Sequence, residues 1–379
     1  MRRCRIVAGL PIFRYRDVLP QLGNLLLRRR LRFRFELLPY EVRDLPPKKI
    51  LNLFLAGLNQ HLAWPRPLGK PVFAQVEPAN FCNLQCPLCL TASQTEGRPR
   101  ALLPFERYKA LVDELHDSLL LVVLWMWGEP FLNPDLFRMI AYSRARGVLT
   151  HCSTNGNVPF DRERAAQVVE SGLDTLIFGV DGTDQETYAR YRVGGRLTRV
   201  WDNIGSVLAA RRELGSLTPR VNLRFVLMRH NEHQVPEIRR VARELGVDFL
   251  TFKTVDMPEA RGVALDRTYR PNEEGFRRYR YQADGFERVQ APFECLRPWK
   301  RITLDALGRV VSCEYDYKAL HSFGGGSAGG SLLGAWRSQE ARSFRRHFGR
   351  GHNDYEFCRS CTYKDMQADE CNVAMEDLR

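Results

Sequence analysis

The sequence lacks a long hydrophobic run. Its longest apolar stretch, LLLVVLWMW at residues 119–127, is less than half of the roughly 20 residues that a membrane-spanning helix needs. The basic start, MRRCRIVAGLPIFRYRD, has a short apolar part that ends at Arg14 and Arg16, without a small-residue cleavage site. We therefore predict no transmembrane segment and no signal peptide, and we expect a cytoplasmic location in which thiols stay reduced.

Acidic residues are scarce at the start of the chain. Residues 1–70 hold 15 Lys or Arg and 4 Asp or Glu, so this basic arm carries +11 of the net charge of +13. Nucleic-acid binding is therefore not a property of the whole protein. An anionic partner is expected only at the arm.

Two elements are predicted within the arm. The segment RRRLRFRFEL alternates apolar and charged residues, a period of two that predicts a half-buried strand with one basic face. The segment PPKKILNLFLAGLNQHL predicts an amphipathic helix from near Pro47, with five apolar residues on one side: Ile50, Leu51, Phe54, Leu55 and Leu58. This helix either packs on the main domain with a solvated basic face, or forms a surface for anionic lipid, RNA or an acidic peptide.

Strands and helices alternate after residue 70. Strands are predicted at 72–77, 119–127, 149–155, 174–182, 220–228 and 248–255, and helices at 104–115, 134–146, 161–171, 197–214 and 235–245. This alternation predicts an α/β fold with a parallel sheet covered by helices. Active groups gather at the carboxyl ends of such strands, where this sequence has Glu77, Gly128–Pro130, Asn155–Gly156 and Asp181–Gly182.

The pattern changes after residue 290. Residues 302–313, ITLDALGRVVSC, predict a hairpin that turns at Gly308, and residues 332–348 predict a helix. Three domains are therefore expected: the arm at 1–70, the α/β domain at 71–290 and a small cysteine-bearing domain at 291–379.

A fourth ligand is missing from the cysteine loop NFCNLQCPLC. Cys82, Cys86 and Cys89 are spaced C-x3-C-x2-C, and neither a histidine nor a fourth cysteine lies nearby in the sequence. Three thiolates can hold three irons of a four-iron cluster and leave the fourth iron open. A zinc site with a remote fourth ligand is an alternative, and a redox dithiol would not need Cys82.

This loop, placed after a first strand, resembles the signature of radical S-adenosylmethionine (SAM) enzymes. The resemblance implies a partial (β/α)6 parallel barrel in which the three cysteines ligate a [4Fe–4S] cluster and SAM binds the open iron. It also implies reductive cleavage of SAM to a 5′-deoxyadenosyl radical that abstracts a hydrogen atom from the substrate.

Further motifs follow in the order that this family uses. WGEP at 127–130, STNG at 153–156, GVDG at 179–182 and YRVGG at 191–195 resemble segments that surround SAM. The resemblance implies contacts to SAM from Gly128, Glu129, Ser153, Asn155, Asp181 and Arg192. Three positions depart from the common pattern. Leu88 occupies a position where many members have an aromatic residue, Trp127 replaces a glycine and Gly179 replaces a serine.

The C-terminal cysteines resemble the SPASM/twitch extension of one branch of the family. The full pattern has seven cysteines, and five are present: Cys295, Cys313, Cys358, Cys361 and Cys371. The resemblance implies one auxiliary [4Fe–4S] cluster held by the first four, with Cys371 able to replace one of them. A structural zinc would suit two hairpin thiolates plus C-x2-C equally well.

The predicted function is that of a radical SAM enzyme with an unidentified substrate. A peptide is favoured slightly by the basic arm, and the alternatives are a small-molecule dehydrogenase or epimerase of the same superfamily, an RNA-modifying enzyme and a non-enzymatic zinc-binding protein. An electron donor such as flavodoxin or ferredoxin is expected. No general base is identified by the sequence.

Overall fold

The computed structural model describes residues 18–93, 97–257, 267–283, 285, 287–290, 295–324, 330–366 and 371–379. Within these residues the strands are β1 Leu31–Phe35, β2 Leu38–Val42, β3 Phe73–Val76, β4 Leu121–Leu124, β5 Leu149–Thr154, β6 Thr175–Gly179, β7 Arg220–Leu227, β8 Phe249–Thr254, β9 Arg301–Leu304, β10 Val310–Val311 and β11 Asn372–Asp377.

The longer helices lie mostly between the strands. They are α1 Val18–Leu27, α2 Pro47–Leu62, α3 Leu90–Ser93, α4 Phe105–Leu115, α5 Leu136–Ala145, α6 Arg162–Glu170, α7 Gln185–Tyr191, α8 Leu197–Glu213 and α9 Val235–Leu245. Further helices near the C-terminus span Arg297–Lys300, Leu332–Trp336, Gln339–Gly351 and Glu356–Arg359. No helix in the described part of the chain combines the length and the apolar character needed to cross a membrane.

One nine-stranded sheet organises the fold, in the order β10-β9-β3-β4-β5-β6-β7-β8-β11. Strands β3 to β8 are parallel neighbours in chain order, and the antiparallel strands β10 and β11 lie at the two edges. The predicted α/β fold and its six parallel strands are therefore confirmed. Apolar side chains on one face of these strands pack under the helices, which bury that face of the sheet.

The arm contributes a hairpin to the other, concave face of the sheet. β1 pairs with β2, and Phe33 and Tyr40 pack with Phe73 and Phe249 of the sheet in one core cluster. The predicted alternation of β1 is confirmed, since Leu31 and Phe33 are buried while the intervening arginines are exposed. The second strand of the hairpin, β2, was not predicted.

The tip of this hairpin carries a buried charge into the barrel. Glu36 and Leu37 form the turn, with φ angles of 50° and 68° that non-glycine residues seldom adopt. The Glu36 carboxylate lies 2.6 Å from the guanidinium of Arg224, a buried residue of β7. Because Phe35 also packs against His151 and Trp125, the hairpin occupies the interior of the partial barrel.

The apolar side of α2 lies outward, a feature of the second of the two arrangements left open by the sequence. Leu51, Phe54 and Leu58 are 60%, 41% and 44% exposed. The buried side instead carries polar side chains with specific backbone partners. Asn52 bonds to both the N–H and the C=O of Lys70, and Lys49 Nζ donates to Leu119 O at 2.8 Å. These hydrogen bonds, together with the burial of Leu53 and Ala56 in the core, decide which side of α2 faces the protein.

The C-terminal segment attaches to both edges of the sheet. β9 runs parallel to β3 and turns back into β10, with Gly308 at φ 77°, as the hairpin prediction required. The helix predicted at 332–348 is two helices, because the Ser338 side chain accepts from Ala341 N and begins a new one.

Candidate functional site

The cysteine loop lies at the carboxyl edge of the parallel sheet. It follows β3 and crosses the end of β4, where Glu129 N donates to Phe81 O at 3.0 Å. A Cβ atom on Gly128 would lie 2.1 Å from Ala79 O, so only glycine allows the loop to pass this close. The loop therefore depends on the glycine of WGEP for its position.

Glu129 joins the ends of β4 and β5. Its buried carboxylate accepts hydrogen bonds from Phe131 N at 3.1 Å, Thr154 Oγ1 at 2.9 Å and Asn155 N at 2.8 Å. Burial raises the pKa of Glu129, while these three donors lower it. The side chain predicted to meet SAM thus also holds the next strand end in place.

Two N–H donors point at the sulfur of Cys82. Asn155 Nδ2 is 3.3 Å from Cys82 Sγ, and Leu84 N is 3.4 Å from it. Such donors stabilise a sulfur that carries negative charge, as a metal-bound thiolate does. Burial, followed by the charge of Glu129, raises the pKa of Cys82 to about 12, so the sulfur stays protonated at neutral pH unless a metal centre displaces the proton.

Arg192 brings a positive charge to Cys86. Its Nε donates to Asp181 Oδ2 at 2.6 Å, and Asp181 is held in turn by Val226 N at 2.8 Å. A Cβ atom on Gly179 would lie 2.4 Å from Arg192 Nη2, so the glycine that replaces a serine makes room for the guanidinium. Burial raises the pKa of Cys86 to about 11, and Arg192 acts in the opposite direction.

Five of the six residues predicted around SAM therefore converge on the cysteine loop or on each other: Gly128, Glu129, Asn155, Asp181 and Arg192. Ser153 is half-buried on β5, in the position before Thr154. Sequence reasoning missed Asn83, which accepts from Asn155 Nδ2, and Thr91, whose hydroxyl donates to Trp127 O at 2.7 Å. Asn83 lies inside the quoted cysteine motif, so its polar side chain between two ligand positions was an available signal.

Four cysteines line a second, enclosed cavity about the β9–β10 hairpin: Cys295, Cys313, Cys358 and Cys361. The wall is completed by aromatic rings and by Arg297, whose guanidinium is 3.2 Å from the Glu314 carboxylate. A cation beside four thiols suits a thiolate-bound cluster, whose net charge is negative.

Cys371 lies apart from this cavity. It precedes β11, its carbonyl accepts from Thr254 N at 2.8 Å, and its sulfur is 3.9 Å from the Tyr363 hydroxyl. Cys152 on β5 is fully buried, and its thiol donates to Leu124 O.

Across the described residues, no three His, Cys, Asp or Glu side chains converge as they would around one metal ion. An iron–sulfur cluster needs a wider arrangement, because its thiolates surround several iron atoms. The thiols at both sites, with their N–H donors and neighbouring arginines, fit such clusters.

Trp127 connects the two cysteine sites. Its carbonyl accepts from Thr91 Oγ1 and lies 4.0 Å from Cys89 Sγ, while its indole Nε1 donates to Glu314 O at 2.6 Å. Its ring also contacts Tyr317, with the centroids 4.5 Å apart. The tryptophan found here in place of a glycine therefore puts an aromatic ring between the two cysteine sites.

Two known families match the sequence. Residues 76–242 match the family described as the Radical SAM superfamily, and residues 295–362 match the SPASM iron–sulfur cluster-binding domain. The two matched segments coincide with the two cysteine sites.

Curated relatives and solved structures agree with these matches. The chain is 24% identical over 333 residues to a PqqA peptide cyclase of Bradyrhizobium diazoefficiens, covering 80% of this chain and 82% of the relative. It is 29% identical over 215 residues to an Fe-coproporphyrin III synthase of Methanosarcina barkeri, covering 52% and 51%. Streptococcus suis SuiB bound to its precursor peptide SuiA shares the fold, with a TM-score of 0.55 at 13% identity over 86% of this chain and 76% of that one.

Proposed function

Because the chain belongs to the radical SAM superfamily and carries a C-terminal SPASM domain, we propose that it is a radical enzyme that modifies a peptide. Its cofactors are SAM, a [4Fe–4S] cluster and an auxiliary iron–sulfur cluster. When bound, the catalytic cluster supplies the electron that cleaves SAM, and the 5′-deoxyadenosyl radical then takes a hydrogen atom from the substrate.

The catalytic cluster is assigned to Cys82, Cys86 and Cys89. The observation that carries this assignment is that side chains from two other strand ends reach the sulfurs, with Asn155 donating to Cys82 and Arg192 lying beside Cys86. Asn155 orients the first thiolate, and Arg192 offsets negative charge at the second. Three thiolates from one loop leave one iron for SAM.

The SAM contacts are assigned to the same strand ends. The buried Glu129 carboxylate suits the ammonium group, whereas the Arg192 guanidinium suits the carboxylate. Gly128, Ser153, Asn155 and Asp181 complete the set. Because Asp181 fixes Nε of Arg192, the outer nitrogens of the guanidinium stay oriented by that ion pair.

The auxiliary cluster is assigned to the four cysteines that share one cavity, Cys295, Cys313, Cys358 and Cys361, without Cys371. Trp127 separates this cavity from the cysteine loop, so its ring lines the space between the two centres. A substrate held there would contact an aromatic surface. Such a surface favours a flat group, for example the ring of a peptide side chain.

A peptide substrate is supported by the relatives named PqqA peptide cyclase, which align over four fifths of both chains. A second candidate is a small molecule such as a tetrapyrrole, because Fe-coproporphyrin III synthase and heme synthases also match, over about half of the chain or less. The electron donor is proposed to be flavodoxin or ferredoxin, and the compartment is proposed to be the cytoplasm.

The enzyme class is tested with SAM alone. Anaerobically reconstituted protein, reduced with dithionite, is expected to release 5′-deoxyadenosine, and Cys86→Ala is expected to release none. A Cys152→Ser variant is the matched control, because Cys152 is buried on β5 outside both cysteine sites. Full activity in Cys86→Ala would contradict the assignment.

The substrate class is tested with a low-molecular-weight cell extract added to the same reaction. A peptide substrate predicts that the extract raises 5′-deoxyadenosine release and that prior digestion with a broad-specificity protease removes the increase. An increase that survives digestion would support the small-molecule candidate.

A further inference from the structure

The outer side of α2 is an exposed apolar ridge. Four side chains spaced three or four residues apart form it, each between 40% and 60% exposed: Leu51, Phe54, Leu58 and Leu62. This spacing aligns them along one side of the helix over about 16 Å. We call these four side chains the α2 ridge. Contiguous exposed apolar groups of this kind mark an interaction surface.

Apolar exposure continues beyond the ends of the helix. Trp64 and Leu68, which follow α2, are 46% and 43% exposed, and Leu26 and Leu27 at the end of α1 are 54% and 86% exposed. Most of the exposed large apolar side chains of the described residues thus belong to the arm. Scattered surface leucines elsewhere, such as Leu214 and Leu217, do not form such a row.

A group of arginines adjoins this surface. Arg30, Arg32 and Arg43 lie 3.9, 3.2 and 2.9 Å from the carboxylate of Glu41, and Arg28 lines a small cavity together with Arg30 and Arg32. We call Arg28, Arg30, Arg32 and Arg43 the arginine cluster. One carboxylate pairs with three of the four guanidinium groups, so the cluster keeps a net positive charge.

The cluster and the ridge belong to the same arm, and one hydrogen bond joins the segments that carry them. Leu27 directly precedes Arg28, and Arg29 Nε donates to Leu45 O at 2.7 Å, two residues before α2 begins. The helix lies at the amino end of the sheet, since Lys49 Nζ bonds to Leu119 O just before β4. The cysteine loop follows β3 at the opposite end, so an occupant of this surface would leave that site open.

We propose that the α2 ridge and the arginine cluster dock the enzyme on an anionic lipid bilayer. The ridge projects outward, which suits insertion among acyl chains better than capture of a peptide helix in a groove. The guanidinium groups match lipid phosphates, and Trp64 suits the boundary between headgroups and acyl chains. RNA offers no apolar partner for the ridge.

Sedimentation with vesicles of phosphatidylcholine containing 30% phosphatidylglycerol tests the proposal on the full chain. Binding is expected at 100 mM NaCl, with at least tenfold weaker binding to pure phosphatidylcholine and at 500 mM NaCl. The variant L51S/F54S/L58S is expected to lose at least tenfold in affinity, and L214S/L217S is expected to bind as the unaltered protein does. R28E/R32E should weaken binding similarly, whereas the matched charge control R212E/R346E should not.

A second measurement does not depend on the folding of ridge variants. Lipids brominated near the headgroup are expected to quench part of the tryptophan fluorescence of the unaltered chain, and Trp64→Phe should lack that part. No binding to anionic vesicles at low salt would overturn the proposal. So would ridge-dependent dimerisation in solution, or ridge-dependent binding of poly-glutamate that is tighter than vesicle binding.

Discussion

The indole Nε1 of Trp127 donates a hydrogen bond of 2.6 Å to the carbonyl oxygen of Glu314, the residue after Cys313. This bond ties the end of β4, next to the cysteine loop, to the hairpin that carries the auxiliary cysteine. The two sites are therefore held by one side chain as well as by the pairing of β3 with β9. Each site should respond to changes made at Trp127.

Replacing Trp127 by phenylalanine keeps an aromatic ring and removes the N–H donor. We expect the free energy of unfolding to fall by about 1 kcal/mol, the usual contribution of one hydrogen bond. The electron paramagnetic resonance spectrum of the auxiliary cluster is expected to change while iron content stays constant. Trp64→Phe is the control, and an unaltered spectrum in Trp127→Phe would contradict the connection.

Gly179→Ala tests the room made for Arg192. The added Cβ would lie 2.4 Å from Arg192 Nη2, so the guanidinium must move. Loss of a charge-assisted contact of about 1.5–3 kcal/mol predicts a KM for SAM that rises roughly 10- to 100-fold, as in Arg192→Ala. The control is Gly205→Ala on α8. No described atom lies within 4 Å of the Cβ added there, so the KM for SAM should stay unchanged.

Asn155→Ala removes the side-chain donor to the Cys82 sulfur. Changes to groups that support a metal ligand typically cost about 10- to 100-fold in affinity or activity, and we expect SAM cleavage to fall within that range. The midpoint potential of the catalytic cluster should become more negative, because the thiolate charge loses a donor. An unaltered potential, measured by redox titration, would contradict the role of Asn155.

The two sets of cysteines predict distinct iron contents. About eight irons are expected per chain, about four in Cys313→Ser and about eight in Cys371→Ser. The last value follows because Cys371 lies outside the cavity lined by the other four. A loss of four irons in Cys371→Ser would show that Cys371 is a cluster ligand.

His151 predicts an acid-sensitive contribution to stability. Burial lowers its pKa to about 4, below the value of about 6.5 in the unfolded chain, so the unfolded state binds more protons between these values. Stability should therefore fall by about 1 kcal/mol from pH 7.5 to pH 5.5, measured by anaerobic urea unfolding. His151→Gln should remove this part of the slope, whereas the exposed His233→Gln should retain it.

Much of the fold and of the site was predictable because the information is local. The alternating apolar runs of residues 71–255 specify parallel strands by their composition and spacing, and the six strands appear within three residues of the predicted ends. The cysteine spacing and the glycines of WGEP and GVDG mark positions where backbone or cofactor approach closely. These features do not depend on distant parts of the chain.

Other features depend on partners that are remote in sequence. The sequence left open whether the apolar side of α2 faces the protein, and that side lies outward because Asn52, Asn59 and Lys49 find backbone partners at residues 68–70 and 119. β11 is a short strand whose stability comes from pairing with the remote strand β8.

The sequence by itself determined which residues can carry the chemistry: three cysteines in one loop, five more near the C-terminus, and polar residues at the predicted strand ends. Tertiary structure alone decided how the parts meet. It grouped four of the five C-terminal cysteines in one cavity, set Trp127 between the two centres and left the α2 ridge exposed. Ligand type and spacing are properties of short segments, whereas these arrangements arise from hydrogen bonds and packing between segments tens to hundreds of residues apart.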